Sequence, residues 1–255
     1  MLYHRTPAPP LREHIDQLWF CEGYEAPHRR ERVLPTGSFD LILDLACGAP
    51  PLVCGMRARY VVLNTAALRA ILGVVFRPGG ARTFFEAPSD EFYDRHVPLD
   101  CVWGSGAPAL VARLQEAPTP AAKFDVLEAA LLARMSRRTP SHPAVRYALS
   151  AFERSRHAES IRDVSLDSGL SRRRLTHLFR EQVGMTPKLY CRLRRFQSVV
   201  RQIARGGPVD WADVAIAGGY SDQAHLAHDF REFSGITPGA YLSADRPSVN
   251  HVPLD

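Results

Sequence analysis

Apolar residues along this chain recur with two different periods, and one gives way to the other near residue 140. Upstream, the segments 39–45, 51–54, 60–63 and 71–76 are short and rich in Val, Ile, Leu or Phe, and Gly or Pro turns flank several of them. They are predicted strands. Helices are predicted over 10–19, 79–86 and 106–116, so the first part reads as an α+β domain. A further helix is predicted over 121–135, where Phe124, Leu127, Leu131 and Met135 recur at helical spacing. Proline-punctuated sequence brackets it at 117–120 and 139–143. A domain boundary is therefore expected at 137–143, giving units over 1–138 and 141–242 and a tail over 243–255. A chain of 255 residues suits two domains of about 100 to 150 residues each.

The second part is predicted to be all helical. Ser141 or His142 can cap a helix with Pro143 in its first turn, and Val145, Leu149 and Phe152 then share a face. After it comes an internal repeat: Ser171, Leu175, Phe179, Gly184, Thr186, Pro187 and Tyr190 recur 51 residues later as Asp222, Leu226, Phe230, Gly235, Thr237, Pro238 and Tyr241. One supersecondary unit is present twice.

In the first copy, Ile161 and Val164 give a short helix its apolar face, Gly169 permits a sharp turn and Ser171 caps the next helix. With Leu175, Leu178 and Phe179 directed inward, Arg172, Arg173, Thr176, His177 and Arg180 fall on the opposite face. A short helix, a glycine turn and a second helix with an exposed polar face form a helix-turn-helix, whose second helix reads base edges in the major groove. Arginine is the commonest reader, because its fork matches guanine O6 and N7. The second copy repeats the plan: Trp211, Val214 and Ala215, a turn at Gly219, a cap at Asp222, and Leu226, Phe230 and Phe233 inward. Its outward residues are Gln223, Ala224, Ala227, His228 and Arg231, with less hydrogen-bonding capacity. The offset is 50 at Val164 and Val214 but 51 from the caps onward, so the second turn is one residue longer. Between the units Leu189, Leu193, Phe196, Val200 and Ile203 predict one continuous joining helix over about 188–203.

Charge sharpens this picture. The net charge is +5, and residues before Ser141 hold 16 Lys+Arg against 15 Asp+Glu, so most of the excess lies beyond. Between Ser171 and Arg205 ten cations are opposed only by Glu181. Such a run also fits a merely solvated helix face; beside the repeat it points to nucleic acid. No run of about 18 apolar residues and no signal-peptide pattern is found, so a cytoplasmic location without membrane contact is expected. The five cysteines, Cys21, Cys47, Cys54, Cys101 and Cys191, include no C-x-x-C pair and are expected as reduced, mostly buried thiols.

At these residues the chain closely resembles the AraC family of transcription regulators. GYSDQAHLAHDFREFSGITPGAY, 219–241, matches that family's signature almost throughout, and GLSRRRLTHLFREQVGMTPKLY matches the equivalent part of the first unit. Ser165 stands where the family has a small Ala, Leu242 where it has Arg, and His228 where Arg is frequent. The resemblance implies a regulator whose partner is double-stranded DNA. RNA polymerase, a small-molecule effector at the first domain and a second copy of the chain are further partners compatible with it. The first domain resembles, less specifically, a domain of unassigned function found ahead of some AraC-type regions, through LPTGSFDLIL, VFRPGGA and VPLDCVWG. That implies a sensory or dimerising role by position.

Competing chemistry is weaker. His225 and His228 lie three apart on a helix with no third ligand placed nearby, so no metal is expected. Cys47 and Cys54 around a turn could sense oxidants, but structural thiols are commoner. In FRPGG, Arg77, Gly79 and Gly80 read as a strand-to-helix turn ahead of an anion cradle. Asp40 and Asp44 have no paired acid or base, and no nucleophile, metal set or cofactor motif is found in 1–138, so no catalysis and no cofactor are expected. Two alternatives stay open: a covalent or redox sensor or enzyme domain fused to a DNA-binding module, and an architectural binder without sequence preference.

Overall fold

The computed structural model describes residues 1–24, 28–65, 69–135, 141–155 and 160–254. Its N-terminal part contains strands β1 (Leu2–Arg5), β2 (Ile15–Glu22), β3 (Arg30–Val33), β4 (Phe39–Asp44), β5 (Leu52–Cys54), β6 (Val61–Asn64), β7 (Ala70–Phe76) and β8 (His96–Pro98). Helices α1 (Pro9–Arg12), α2 (Asp100–Trp103), α3 (Gly106–Glu116) and α4 (Pro120–Met135) accompany them. An antiparallel sheet runs β1-β2-β7-β4-β5-β8. Strand alternation builds its core: Phe39, Leu41 and Leu43 are buried along β4, while Asp40, Ile42 and Asp44 between them are only partly covered. Phe124, Leu127 and Leu131 of α4 and Ala107, Leu110 and Leu114 of α3 are also buried. The four predicted strands and the helices over 106–116 and 121–135 are found. Residues 136–140, on which the expected domain boundary partly falls, lie outside the described residues.

Two predicted helices are corrected. Over 10–19 only one turn, α1, is helical, and β2 takes the rest. The register of β2 against β7 shifts between Ile15 and Gln17, so one extra residue sits in the strand. That bulge places Ile15 and Leu18, three apart, both in the core, a spacing that imitates a helix. Over 79–86 the chain makes a single 3-10 turn, Gly80–Thr83, and then buries Phe84 and Phe85. Gly79 takes φ +79° and a Cβ on Gly80 would lie 2.1 Å from His14 O, which accounts for both glycines of FRPGG; Arg77 pairs with Asp16 at 3.2 Å.

The C-terminal part is helical: α5 (Pro143–Arg154), α6 (Ile161–Asp167), α7 (Arg172–Val183), α8 (Pro187–Ala204), α9 (Trp211–Ala217), α10 (Gln223–Ser234) and α11 (Pro238–Ser243). His142 caps α5, its ring accepting from the Ala144 amide, and Pro143 follows at the first helical position. The expected tail is corrected at its end, where β9 (His251–Pro253) pairs antiparallel with β3 and completes a second sheet, β6-β3-β9. The N-terminal part therefore holds the last residues of the chain.

Glu31 of β3 anchors this strand. Fully buried, it lies 2.6 Å from His251 Nδ1 and 3.0 Å from His28 Nε2. Burial alone would raise its carboxyl, but the hydrogen bonds from His251 and His28 outweigh that and hold it below the ordinary glutamate range. A depressed folded value contributes stability that is present above the ordinary glutamate pKa and lost as pH falls through the folded one. Glu31→Gln is thus expected to flatten that part of the acid limb of stability and to speed amide exchange at Val252. An unchanged acid limb in a pH series of urea melts would contradict it.

Candidate nucleic-acid interface

Both helix-turn-helix units are present and built on the repeated residues. In the first, Gly169 turns at φ +70° between α6 and α7, and Ser171 accepts from the Arg174 amide. In the second, Gly219 turns at φ +75° between α9 and α10, and Asp222 accepts from the His225 amide. That bond holds the Asp222 carboxyl below its ordinary range. Four residues separate α6 from α7 and five separate α9 from α10, the longer turn that the offset change predicts. Thr186 and Thr237 cap the following helices by accepting from Leu189 and Ala240, each with Pro next. The rings pair alike: Phe179 meets Tyr190 and Phe230 meets Tyr241, each edge-on at 5.5 Å.

Burial sorts the two second helices as the sequence predicts. Leu175, Leu178 and Phe179 are buried on α7, and Leu226, Phe230 and Phe233 on α10. Arg172, Arg173, Thr176, His177 and Arg180 together line one open concavity of about 500 Å³. On α10, Gln223, Ala224, His228 and Arg231 are exposed and Ala227 half-exposed. The continuous helix α8 buries Leu193, Phe196, Val200 and Ile203 between the units.

Some of these residues already have partners that the sequence did not reveal. Arg180 pairs with Asp90 at 3.4 Å, and His228 lies 3.6 Å from Glu232. Glu232 and the buried Asp229 also accept from Arg192 of α8, at 2.5 and 2.7 Å, and these bonds hold the guanidinium firmly protonated. His228, Asp229 and Glu232 place three ligand atoms within 4.8 Å of one another, but Arg192 already supplies the cation for both carboxylates. Arg192 and Asp229 are 37 residues apart, beyond any local sequence signal. A second α8 cation also turns to a neighbour: Arg195 lies over the Tyr220 ring, 5.5 Å from its centroid. Part of the positive run thus serves packing.

The remaining candidates are structural. Asp40 accepts from Ser38, and Asp44 accepts from the Ala46 and Cys47 amides. All five cysteines are free, and the expectation of mostly buried thiols is corrected: Cys54 and Cys191 are buried, Cys21 is half-buried, and Cys47 and Cys101 are exposed in loop and short-helix positions. Burial pushes the Cys54 thiol up to about 12, which makes it a poor nucleophile. Among the described residues, no helix is long and apolar enough to cross a membrane.

Two families match separate parts of the chain. A family described as "Domain of unknown function (DUF6597)" matches residues 3–98, and one described as "Helix-turn-helix domain" matches residues 165–244. No curated protein matches the chain. Among solved structures, it is similar to a transcriptional regulator with an AraC-type DNA-binding domain from Chromobacterium violaceum: 24% identity, TM-score 0.36, covering 42% of this chain and 96% of that one. ToxT from Vibrio cholerae is similar at 11% identity and TM-score 0.43, covering 95% of this chain and 96% of that one. A helix-turn-helix family thus matches the part of the chain that holds the repeated units and their caps, and a family of unknown function matches the part ahead of it.

Proposed function

We propose that this protein is a sequence-specific transcription regulator that lays α7 and α10 into successive major grooves of one duplex. The observation that carries the reading is the paired exposed polar faces, Arg172, Arg173, Thr176, His177 and Arg180 on one helix and Gln223, Ala224, Ala227, His228 and Arg231 on its repeat. Successive grooves on one side of B-DNA lie about 34 Å apart, which suits two units fixed to one rigid joining helix. The N-terminal domain, over about 1–138, regulates through an effector or a second copy of the chain.

Selection from random duplexes tests this, followed by anisotropy titration at several salt concentrations with bulk DNA as competitor. The full chain is expected to enrich one sequence, to prefer it over bulk DNA by about 10³-fold or more, and to bind with a salt slope of several units. Binding without enrichment would favour an architectural role. A flat salt response would remove the phosphate contacts on which the reading depends.

A further inference from the structure

The N-terminal domain touches both helix-turn-helix units, and it touches them at equivalent places. On α7 the Ser89 hydroxyl donates to the Gln182 carbonyl at 3.0 Å; on α10 the Tyr60 amide donates to the Phe233 carbonyl at 3.0 Å. Gln182 and Phe233 are 51 residues apart, the offset of the repeat, and both carbonyls belong to a last helical turn that has no internal donor. The next equivalent pair repeats the arrangement. Gly184 and Gly235 end the two helices at φ +101° and +72°, and the space a Cβ would take is filled by a ring of the N-terminal domain in each case. A Cβ on Gly184 would lie 2.9 Å from Phe39 Cε2, and one on Gly235 would lie 2.3 Å from Tyr60 Cε1. Between the two grips, Gln197 of α8 donates to the Pro35 carbonyl at 2.8 Å and to Asn250 of the tail at 3.0 Å.

We infer that the N-terminal domain acts as a two-point gauge, with Ser89 and Phe39 holding the end of α7, Tyr60 holding the end of α10, and the three together fixing the separation of the two helices. Tyr60 and Ser89 are positioning residues: they lie at the far end of each helix from the N-terminal half that enters a groove. Added to the packing on α8, a second support at each helix end, on the side away from the groove, holds the two readers as a pair with one spacing. Any event that moves β4 or β6 then changes that spacing. The inference rests on α7 and α10 being the DNA-reading helices only for its consequence; the grip itself concerns the protein alone.

The test uses the full chain in two arms. In the first, Cys47 and Cys101 are replaced by Ser and spin labels are attached through Arg173→Cys and Ala224→Cys, which are exposed and repeat-equivalent. One narrow label separation is expected, and Tyr60→Ala is expected to at least double its width, whereas Tyr60→Phe, which keeps the ring and the amide, leaves it as in the parent. Tyr60→Leu, which keeps apolar volume, replaces Tyr60→Ala if that variant fails to fold. In the second arm, unlabelled protein meets its selected duplex with one or two base pairs inserted between the half-sites. The parent is expected to lose at least tenfold in affinity and Tyr60→Ala several-fold less. Unchanged widths in Tyr60→Ala or Tyr60→Leu and in a Ser89→Ala, Tyr60→Ala double variant would overturn the gauge. Failure of the parent to bind any duplex would instead overturn the DNA reading, leaving the first arm to decide the grip.

Discussion

Phe179→Ala and Phe230→Ala are each expected to lower the free energy of unfolding by about 3 to 5 kcal/mol. Both side chains are fully buried, and each is the hinge of its unit's core. Phe179 meets Phe152 of α5 at 6.0 Å as well as Tyr190, so it ties the second helix of the first unit to α5 and to α8. Phe230 does the same between Phe196 and Tyr241, at 5.1 and 5.5 Å. Truncation loses the transfer energy of the ring and leaves a cavity among neighbours that are themselves locked by capped helices. Phe→Leu at either position should cost less, since most of the volume is kept. Thermal or urea melts of the full chain measure both, and a shift of about 10 °C is expected for the alanine variants. A parent-like melt would mean that the helix faces are inverted and that the outward residues are not the proposed readers.

How much of this was legible in the sequence depends on whether the cause is local. The units were legible because caps, glycine turns and 3.6-residue periodicity are short-range features, and the 51-residue repeat let each copy check the other. β2 was not, because its bulge converts strand alternation into the three-residue spacing of Ile15 and Leu18. The strand at 251–253 has only three residues and owes its existence to β3, more than 200 positions earlier, where Glu31 receives His251. The glycines at 184 and 235 announced helix ends, yet nothing near them in sequence announced the rings of Phe39 and Tyr60. The faces of the candidate site could thus be read from periodicity, whereas its supports on the N-terminal domain could not.

Ion pairs also redistribute the charge that the sequence assigned to nucleic acid. Arg180 shares its charge with Asp90, and His228 faces a carboxylate that Arg192 already holds. Arg172 and Arg173, at the start of α7, are exposed and have no carboxylate within ion-pair distance among the described residues. Exposed positive charge therefore stands at the start of α7, the end proposed to enter the groove.

Arg173→Ala is expected to weaken the selected site by about 1 to 3 kcal/mol, the worth of one bidentate base contact, and to relax preference at one or two base pairs. Its repeat partner, Ala224, offers only a methyl, which can meet a thymine but cannot hydrogen-bond. The same contrast holds between Thr176 and Ala227, so the first unit is expected to carry most of the specificity. Arg231 lies in the last turn of α10, next to the end held by Tyr60 and away from the N-terminal half, a position suited to phosphate. Arg231→Ala should weaken all sequences to a similar degree and reduce the salt slope by about one unit. Repeating the selection with each variant separates the two roles. If Arg231→Ala changes which bases are chosen while Arg173→Ala leaves the choice intact, the assignment of readers is wrong even though both units fold as described.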